Sequence, residues 1–210
     1  MFSVNRALSC RLTGLLSLTP LKPNHITFLG MLSGLTGAMF IAKGSPSSLL
    51  IGALCFHIAF ILDNCDGELA RRKSLVSELG KKLDLISDFV VDTCLWVGLG
   101  IGTVVLTGDS KWLALSFLCS AASAVNEWIV IRERQTGCCG SIHSEKKSVY
   151  KNPSVFRLVL DMICHNGDAV FLIWIMAMIG SHTLFLICGT VYIFTLISLR
   201  LALNRKSLFS

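Results

Sequence analysis

Four aspartates at helical spacing stand out in this strongly apolar sequence of 210 residues. Asp63 and Asp66 end one apolar block, and Asp84 and Asp88 open the next. Residues three and four apart share one face of a helix, so each pair directs two carboxylates to the same side. Carboxylates are costly in a bilayer and repel one another when clustered. A cage of four such groups suits Mg²⁺ or Mn²⁺, which are hard cations that prefer oxygen ligands.

The elements that must position these acids are apolar blocks long enough to cross a bilayer. Hydrophobic residues make up 53% of the chain and charged residues 15%, whereas a soluble domain carries about 25% charged residues. A transmembrane helix needs about 20 mostly apolar residues. The sequence therefore predicts an all-α integral membrane protein with six transmembrane helices, at residues 26–43, 47–66, 84–106, 111–131, 154–178 and 183–203.

Two segments fall outside these blocks. Residues 1–20 mix Arg6 and Arg11 with apolar side chains, and this pattern predicts an N-terminal interfacial amphipathic helix that is retained in the mature protein. Residues 132–153 carry Gly, Ser and Pro and are predicted to form a cytoplasmic connector. Because this connector is short for an independent fold, residues 1–210 are expected to form a single membrane domain.

The basic residues predict the orientation. Apart from Lys43 and Lys111, the Lys and Arg side chains lie in the N-terminal segment, near 67–82, in 132–157 and from Arg200 onward. The positive-inside rule then places both termini and both aspartate pairs at the cytoplasmic face, of the plasma or inner membrane if the chain is bacterial. This topology accounts for the net charge of +6. The sequence contains no basic folded domain, so nucleic acid is not expected as a partner.

The segment that joins the two aspartate pairs has a specific spacing. It reads DNCDGELARRKSLVSELGKKLDLISD from Asp63 to Asp88. This run matches the pattern D-x2-D-G-x2-A-R-x8-G-x3-D-x3-D, and by it the chain resembles the CDP-alcohol phosphatidyltransferase family. The PNHIT segment from Pro23 to Thr27 is also similar to a short motif that many members carry before their first span. The six-span layout agrees with the family as well.

The resemblance implies an enzyme that transfers a substituted phosphate group from a CDP-alcohol, such as CDP-diacylglycerol, to an acceptor alcohol and releases CMP in phospholipid biosynthesis. Asp63, Asp66, Asp84 and Asp88 would hold the metal, and Asp88 would also take the proton from the acceptor. The residues expected to bind the CDP-alcohol are Gly67, Ala70, Arg71, Ser77 and Gly80, with Asn24 and Thr27 as further candidates. The resemblance also implies a homodimer.

The acceptor is the open part of this interpretation. Three basic residues near cytoplasmic helix ends are candidates for an acceptor pocket, namely Arg134, Arg157 and Arg200. Membrane-interface anchoring explains each of them equally well. Inositol phosphate and glycerol 3-phosphate are the candidate acceptors. Asp92 extends the aspartate stripe as in many inositol-phosphate-using relatives, but Phe89 stands where those relatives usually have Arg.

Several alternatives stay open from the sequence alone. Gly67 and Gly80 could serve only close helix packing, Asn24 and Thr27 could be only a helix start, and Arg71 could be one more positive-inside charge. An intramembrane Mg²⁺-dependent prenyltransferase would also use clustered aspartates, and a non-enzymatic cation carrier would need a carboxylate ring. The adjacent Cys138 and Cys139 lack zinc-type spacing, and a redox or palmitoylation role is undecided.

Overall fold

A computed structural model of the protein describes residues 4–135 and 166–204. These ranges contain helices and turns and no strand, which confirms the all-α prediction for the described part of the chain. The helices are α1 (Val4–Ser17), α2 (Pro23–Ile41), α3 (Pro46–Arg72), α4 (Glu78–Thr107), α5 (Lys111–Gln135), α6 (Asn166–Ile179) and α7 (His182–Asn204).

The helix boundaries follow from local chemistry. Both α2 and α3 begin with a proline, whose fixed φ suits the first helical position and whose missing N–H is not needed there. Ser45 caps α3 by accepting a hydrogen bond from the Ser48 backbone N–H at 3.2 Å. Gly108 ends α4 in the left-handed region, at φ 72°, where glycine is free of the Cβ clash.

Helix α2 packs against both α3 and α4, the two helices that carry the aspartate pairs. Glycines allow this close approach. A Cβ on Gly98 of α4 would lie only 2.7 Å from the Ala38 carbonyl oxygen, and one on Gly34 of α2 would lie 2.6 Å from Val91. Small residues of this kind bring apolar helices together where lipid gives no hydrophobic driving force. Helices α2, α3 and α4 are thereby held in a fixed arrangement.

Two helices of the described ranges, α3 and α4, are long and apolar enough to cross a membrane. A shorter apolar helical stretch runs over His182–Ser198. The predicted count of six spans therefore stays a prediction. Helix α3 continues for two turns beyond the expected end of its span at residue 66, and α4 begins six residues before the expected start at residue 84. The aspartate pairs thus lie inside continuous helices rather than at helix ends.

The two flanking segments are only partly described. Residues 4–17 of the predicted interfacial segment form α1, which packs against α3. The ammonium of Lys73, just after α3, donates to the carbonyl oxygens of Thr19 and Leu21 at 2.6 and 2.9 Å and ties the α1–α2 linker in place. Helix α5 continues through the first four residues of the predicted connector, as far as Gln135. Residues 136–153 of the connector, with Cys138 and Cys139, lie outside the described residues.

Candidate metal and CDP-alcohol site

Three of the four predicted metal ligands converge on one point. One carboxylate oxygen from each of Asp63, Asp66 and Asp84 lies within 4.8 Å of the other two. Asp63 and Asp66 come from α3 and Asp84 from α4, and α2 packs against both helices. The two aspartates of α3 therefore lie close to Asp84 of the neighbouring helix as well as to each other.

The fourth aspartate, Asp88, lies beside this group. Its carboxyl group is within hydrogen-bonding reach of Asp63, and its charge also acts on Asp66. Asp88 is exposed whereas Asp66 is buried. The four acids form one cluster, in which Asp88 occupies the accessible edge.

The cluster fits a small divalent cation. Its donors are all oxygen atoms, which is the ligand type that Mg²⁺ and Mn²⁺ select. In an octahedral shell with metal–oxygen distances of about 2.1 Å, opposed ligand atoms are separated by about 4 Å. The observed limit of 4.8 Å is close to that size. Without a counter-ion, partly buried carboxylates this close together repel each other strongly.

Thr27 holds one of these carboxylates in place. Its hydroxyl donates a hydrogen bond to Asp66 Oδ2 at 2.5 Å, and both residues are buried. Thr27 lies in the second turn of α2, so this bond joins the first motif, PNHIT, to the aspartate signature. The helix-start explanation of Thr27 is therefore insufficient, because its side chain reaches the acidic cluster directly.

Three of the residues predicted to bind the donor, Gly67, Ala70 and Arg71, follow Asp66 closely on α3. A Cβ on Gly67 would have the guanidinium of Arg71 as its nearest neighbour, at 3.5 Å, so Arg71 folds back over Gly67. Arg71 is also close enough to act electrostatically on Asp66. Ala70 is half-buried on the same stretch of α3. These contacts place the guanidinium of Arg71, a group whose geometry suits bidentate phosphate binding, next to the acidic cluster.

A second group of predicted residues meets at the start of α4. A Cβ on Gly80 would lie 3.1 Å from Ser77 Oγ and 3.4 Å from Asn24 Oδ1. Ser77 is the N-cap of α4 and accepts a hydrogen bond from the Gly80 N–H at 3.0 Å. The structure thus gives Ser77 a capping role, and a contact between its hydroxyl and a nucleotide stays a prediction. The side-chain oxygen of Asn24 lies beside the same glycine.

The side chains of the predicted acceptor arginines lie outside the described residues. Arg134 and Arg200 lie on α5 and α7, but their side chains are outside the described set, as is the whole of Arg157. Their role stays a prediction.

Sequence reasoning missed two contacts from α5. Glu127 lies close enough to Asp88 to interact with it electrostatically. The Ser123 hydroxyl donates to the carboxylate of Asp92. The available signal was the presence of polar residues one turn apart in an otherwise apolar block.

Comparisons with known proteins agree with this geometry. The sequence model of the CDP-alcohol phosphatidyltransferase family matches residues 21–191. A bifunctional IPC transferase and DIPP synthase of Thermococcus kodakarensis is 30% identical over 135 residues, which cover 64% of this chain and 29% of that protein. A CDP-diacylglycerol–glycerol-3-phosphate 3-phosphatidyltransferase of Rickettsia bellii is 35% identical over 72 residues, which cover 34% of this chain and 40% of that protein. The chain thus aligns with well under half of either relative.

A similar fold is found among solved structures. Phosphatidylinositol phosphate synthase of Mycobacterium tuberculosis in its apo form superposes with a TM-score of 0.60 at 20% identity, covering 92% of this chain and 93% of that one. The same enzyme with CDP-DAG bound gives a TM-score of 0.51 at 17% identity. The family match extends from the PNHIT segment through the aspartate signature and into α7. This chain belongs to the CDP-alcohol phosphatidyltransferase family.

Proposed function

We propose that the protein transfers a substituted phosphate group from a CDP-alcohol to an acceptor alcohol and releases CMP. The observation that carries the proposal is the convergence of three signature carboxylates within 4.8 Å, with Asp88 at their accessible edge. CDP-diacylglycerol is the expected donor, since a relative of this fold was solved with CDP-DAG bound. Inositol phosphate and glycerol 3-phosphate are the expected acceptors.

The residues around the aspartate cluster supply each requirement of this reaction. Asp63, Asp66 and Asp84, joined by Asp88, would hold Mg²⁺ or Mn²⁺, which neutralises pyrophosphate charge when bound. The guanidinium of Arg71 binds phosphate oxygens at the rim. The small surface of Gly67, Ala70 and Gly80 lets the nucleotide approach the backbone. Asn24 and Ser77 offer polar groups near Gly80.

The chemical step is a displacement at the phosphorus that carries the alcohol. Asp88 accepts the proton of the acceptor hydroxyl, whose oxygen then forms a new bond to that phosphorus. The bond from the same phosphorus to the bridging oxygen of the pyrophosphate breaks, and CMP leaves with the bonding electrons. Thr27 keeps the Asp66 carboxylate oriented throughout, since its hydroxyl is already bonded there. Atoms and charges balance without any redox partner.

We infer the cellular setting from the same features. The protein is an integral membrane enzyme with six spans, both termini and the active site at the cytoplasmic face, and it works as a homodimer. The apolar α3 and α4 and the asymmetric placement of basic residues support this topology. Family membership favours this function over prenyl transfer or cation carriage, which explain the aspartates but not the Gly-Ala-Arg-Gly framework.

The deciding experiment measures CMP release by the purified protein in detergent, with Mg²⁺, CDP-diacylglycerol and a panel of acceptors. The panel contains inositol phosphate, glycerol 3-phosphate, inositol and serine. We expect release with at least one acceptor and its loss in Asp88→Asn. The matched control is Asp109→Asn, since Asp109 lies in the α4–α5 turn, far along α4 from the site. Absence of CMP across the panel, or an Asp88→Asn variant as active as wild type, would refute the proposal.

A further inference from the structure

Helices α4 and α5 present matched polar residues to each other in successive turns. Ser123 of α5 donates its hydroxyl to Asp92 of α4. One turn along each helix, the carboxylate of Glu127 lies close enough to that of Asp88 to repel it. The sum of the two residue numbers is 215 in both pairs, which is the signature of antiparallel helices in a fixed register. The site-side turn of α5 is thereby fixed at the level of Asp88.

Asn126 belongs to this same turn. It stands three residues after Ser123 and next to Glu127, and residues three and four further along a helix flank the direction of the first. Asn126 is only 4% exposed. Its side-chain oxygen is buried and has no hydrogen-bond partner among the described residues. Buried polar atoms in native proteins nearly always have a partner, so this oxygen, at the level of the proposed base Asp88, is a candidate for a ligand contact.

We propose that Asn126 is a specificity-determining residue for the acceptor, with its side-chain oxygen accepting a hydrogen bond from a second hydroxyl next to the reacting one. This inference rests on the proposed function, because it places the reacting hydroxyl of the acceptor at Asp88, which lies at the level of Asn126. Glu127, beside Asn126 on α5, is at the same level. The acceptor class is then a polyol, in which two neighbouring hydroxyls are read separately.

The hydrogen-bonding groups of Asn126, Glu127 and Asp88 favour a hydroxyl over other groups of the acceptor. The oxygen of Asn126 and the carboxylates of Glu127 and Asp88 accept hydrogen bonds, so the complementary group must donate one. A phosphate oxygen is an acceptor and would be repelled by the two carboxylates. A neutral hydroxyl donates to Asn126 without that repulsion, and the serine arm of the acceptor panel tests an ammonium-bearing alcohol instead.

The first test compares acceptor pairs on the wild-type protein by CMP release. Glycerol 3-phosphate is paired with 3-hydroxypropyl phosphate, and inositol phosphate with analogues that lack the hydroxyl beside the reacting one. We expect kcat/KM to fall about tenfold or more for the deoxy member of the pair that is used, as for one lost hydrogen bond to a buried group. Equal use of both members, or turnover only with serine or a simple monoalcohol, would overturn the inference. Absence of CMP with every acceptor refutes the proposed function instead.

The second test uses Asn126→Leu. We expect the acceptor KM to rise about tenfold while the KM for CDP-diacylglycerol stays unchanged, and the preference for the full polyol to vanish. Asn126→Asp, which keeps an oxygen at this position, should retain the preference and also reports if the leucine variant does not fold. Thr195→Val is the matched control, because that exposed hydroxyl bonds to the Val191 carbonyl of its own helix at 2.6 Å. A polyol preference that persists in Asn126→Leu would overturn the assignment.

Discussion

Removal of the Thr27 hydroxyl should weaken divalent cation binding selectively. Thr27 donates to Asp66 Oδ2 at 2.5 Å between buried side chains. Valine keeps the branched shape at this position but cannot donate. The Asp66 carboxylate would lose the group that fixes its orientation, and one of its oxygens would be left without that partner. The perturbation therefore acts on a proposed metal ligand without touching the metal shell itself.

The expected magnitude follows from the kind of bond that is lost. A hydrogen bond to a charged group contributes about 1.5–3 kcal/mol, and each 1.4 kcal/mol is about a factor of ten in an equilibrium constant. Loss of a partner that orients a metal ligand typically costs about 10- to 100-fold in metal affinity or activity. We therefore expect the half-saturating Mg²⁺ concentration of Thr27→Val to rise about 10- to 100-fold.

The assay is CMP release titrated with Mg²⁺ at saturating donor and acceptor. Thr27→Ser should behave like wild type, because it keeps the hydroxyl. Thr36→Val is the matched control on the same helix, since the Thr36 hydroxyl bonds to the Leu32 carbonyl at 2.8 Å, away from the aspartates. The reasoning is refuted if Thr27→Val saturates at the wild-type Mg²⁺ concentration, or if Thr36→Val shifts the titration equally.

Three further outcomes are expected. Gly98→Ala should destabilise the fold by about 1–3 kcal/mol, because the added Cβ would meet the Ala38 carbonyl oxygen of α2 at 2.7 Å. The control Gly67→Ala should melt at the wild-type temperature in detergent. Equal melting temperatures of the two variants would contradict this prediction. Lys73→Met should speed proteolytic cleavage in α1, because it releases the α1–α2 linker. Lys81→Met should leave the cleavage rate unchanged, since Lys81 pairs at the surface with an exposed glutamate. Equal cleavage rates in the two variants would argue against the role of Lys73 in holding the linker. EDTA should abolish CMP release and excess Mg²⁺ restore it, and activity that survives chelation would exclude metal dependence.

Much of the site could be predicted because its pattern is local. Asp63 with Asp66 and Asp84 with Asp88 lie three and four residues apart, so helix geometry alone places each pair on one face. The fixed positions Gly67 and Arg71 belong to the same continuous segment. The all-α character followed equally from the length of the apolar blocks. Such features depend on neighbours in sequence, which the sequence records directly.

Boundaries were less well predicted for an equally local reason. Apolar content marks where a chain can enter lipid, but a helix continues as long as its backbone bonds and caps allow. Ser77, rather than the first apolar residue, starts α4. Likewise α5 runs on through polar residues to Gln135. The apolar blocks therefore predict the spans, whereas caps and backbone hydrogen bonds decide where the helices that contain them begin and end.

Only the tertiary structure decided which residues distant in sequence lie beside the aspartate cluster. The bond from Thr27 to Asp66 spans 39 positions, and it exists because α2 lies between α3 and α4 with glycines at the contacts. The placement of Asn126 and Glu127 at the level of Asp88 depends on the register of α4 against α5. No sequence period encodes such a register, because it is set by how side chains of separate helices pack. The sequence determined the aspartate pairs and the helices, and packing determined what stands opposite them.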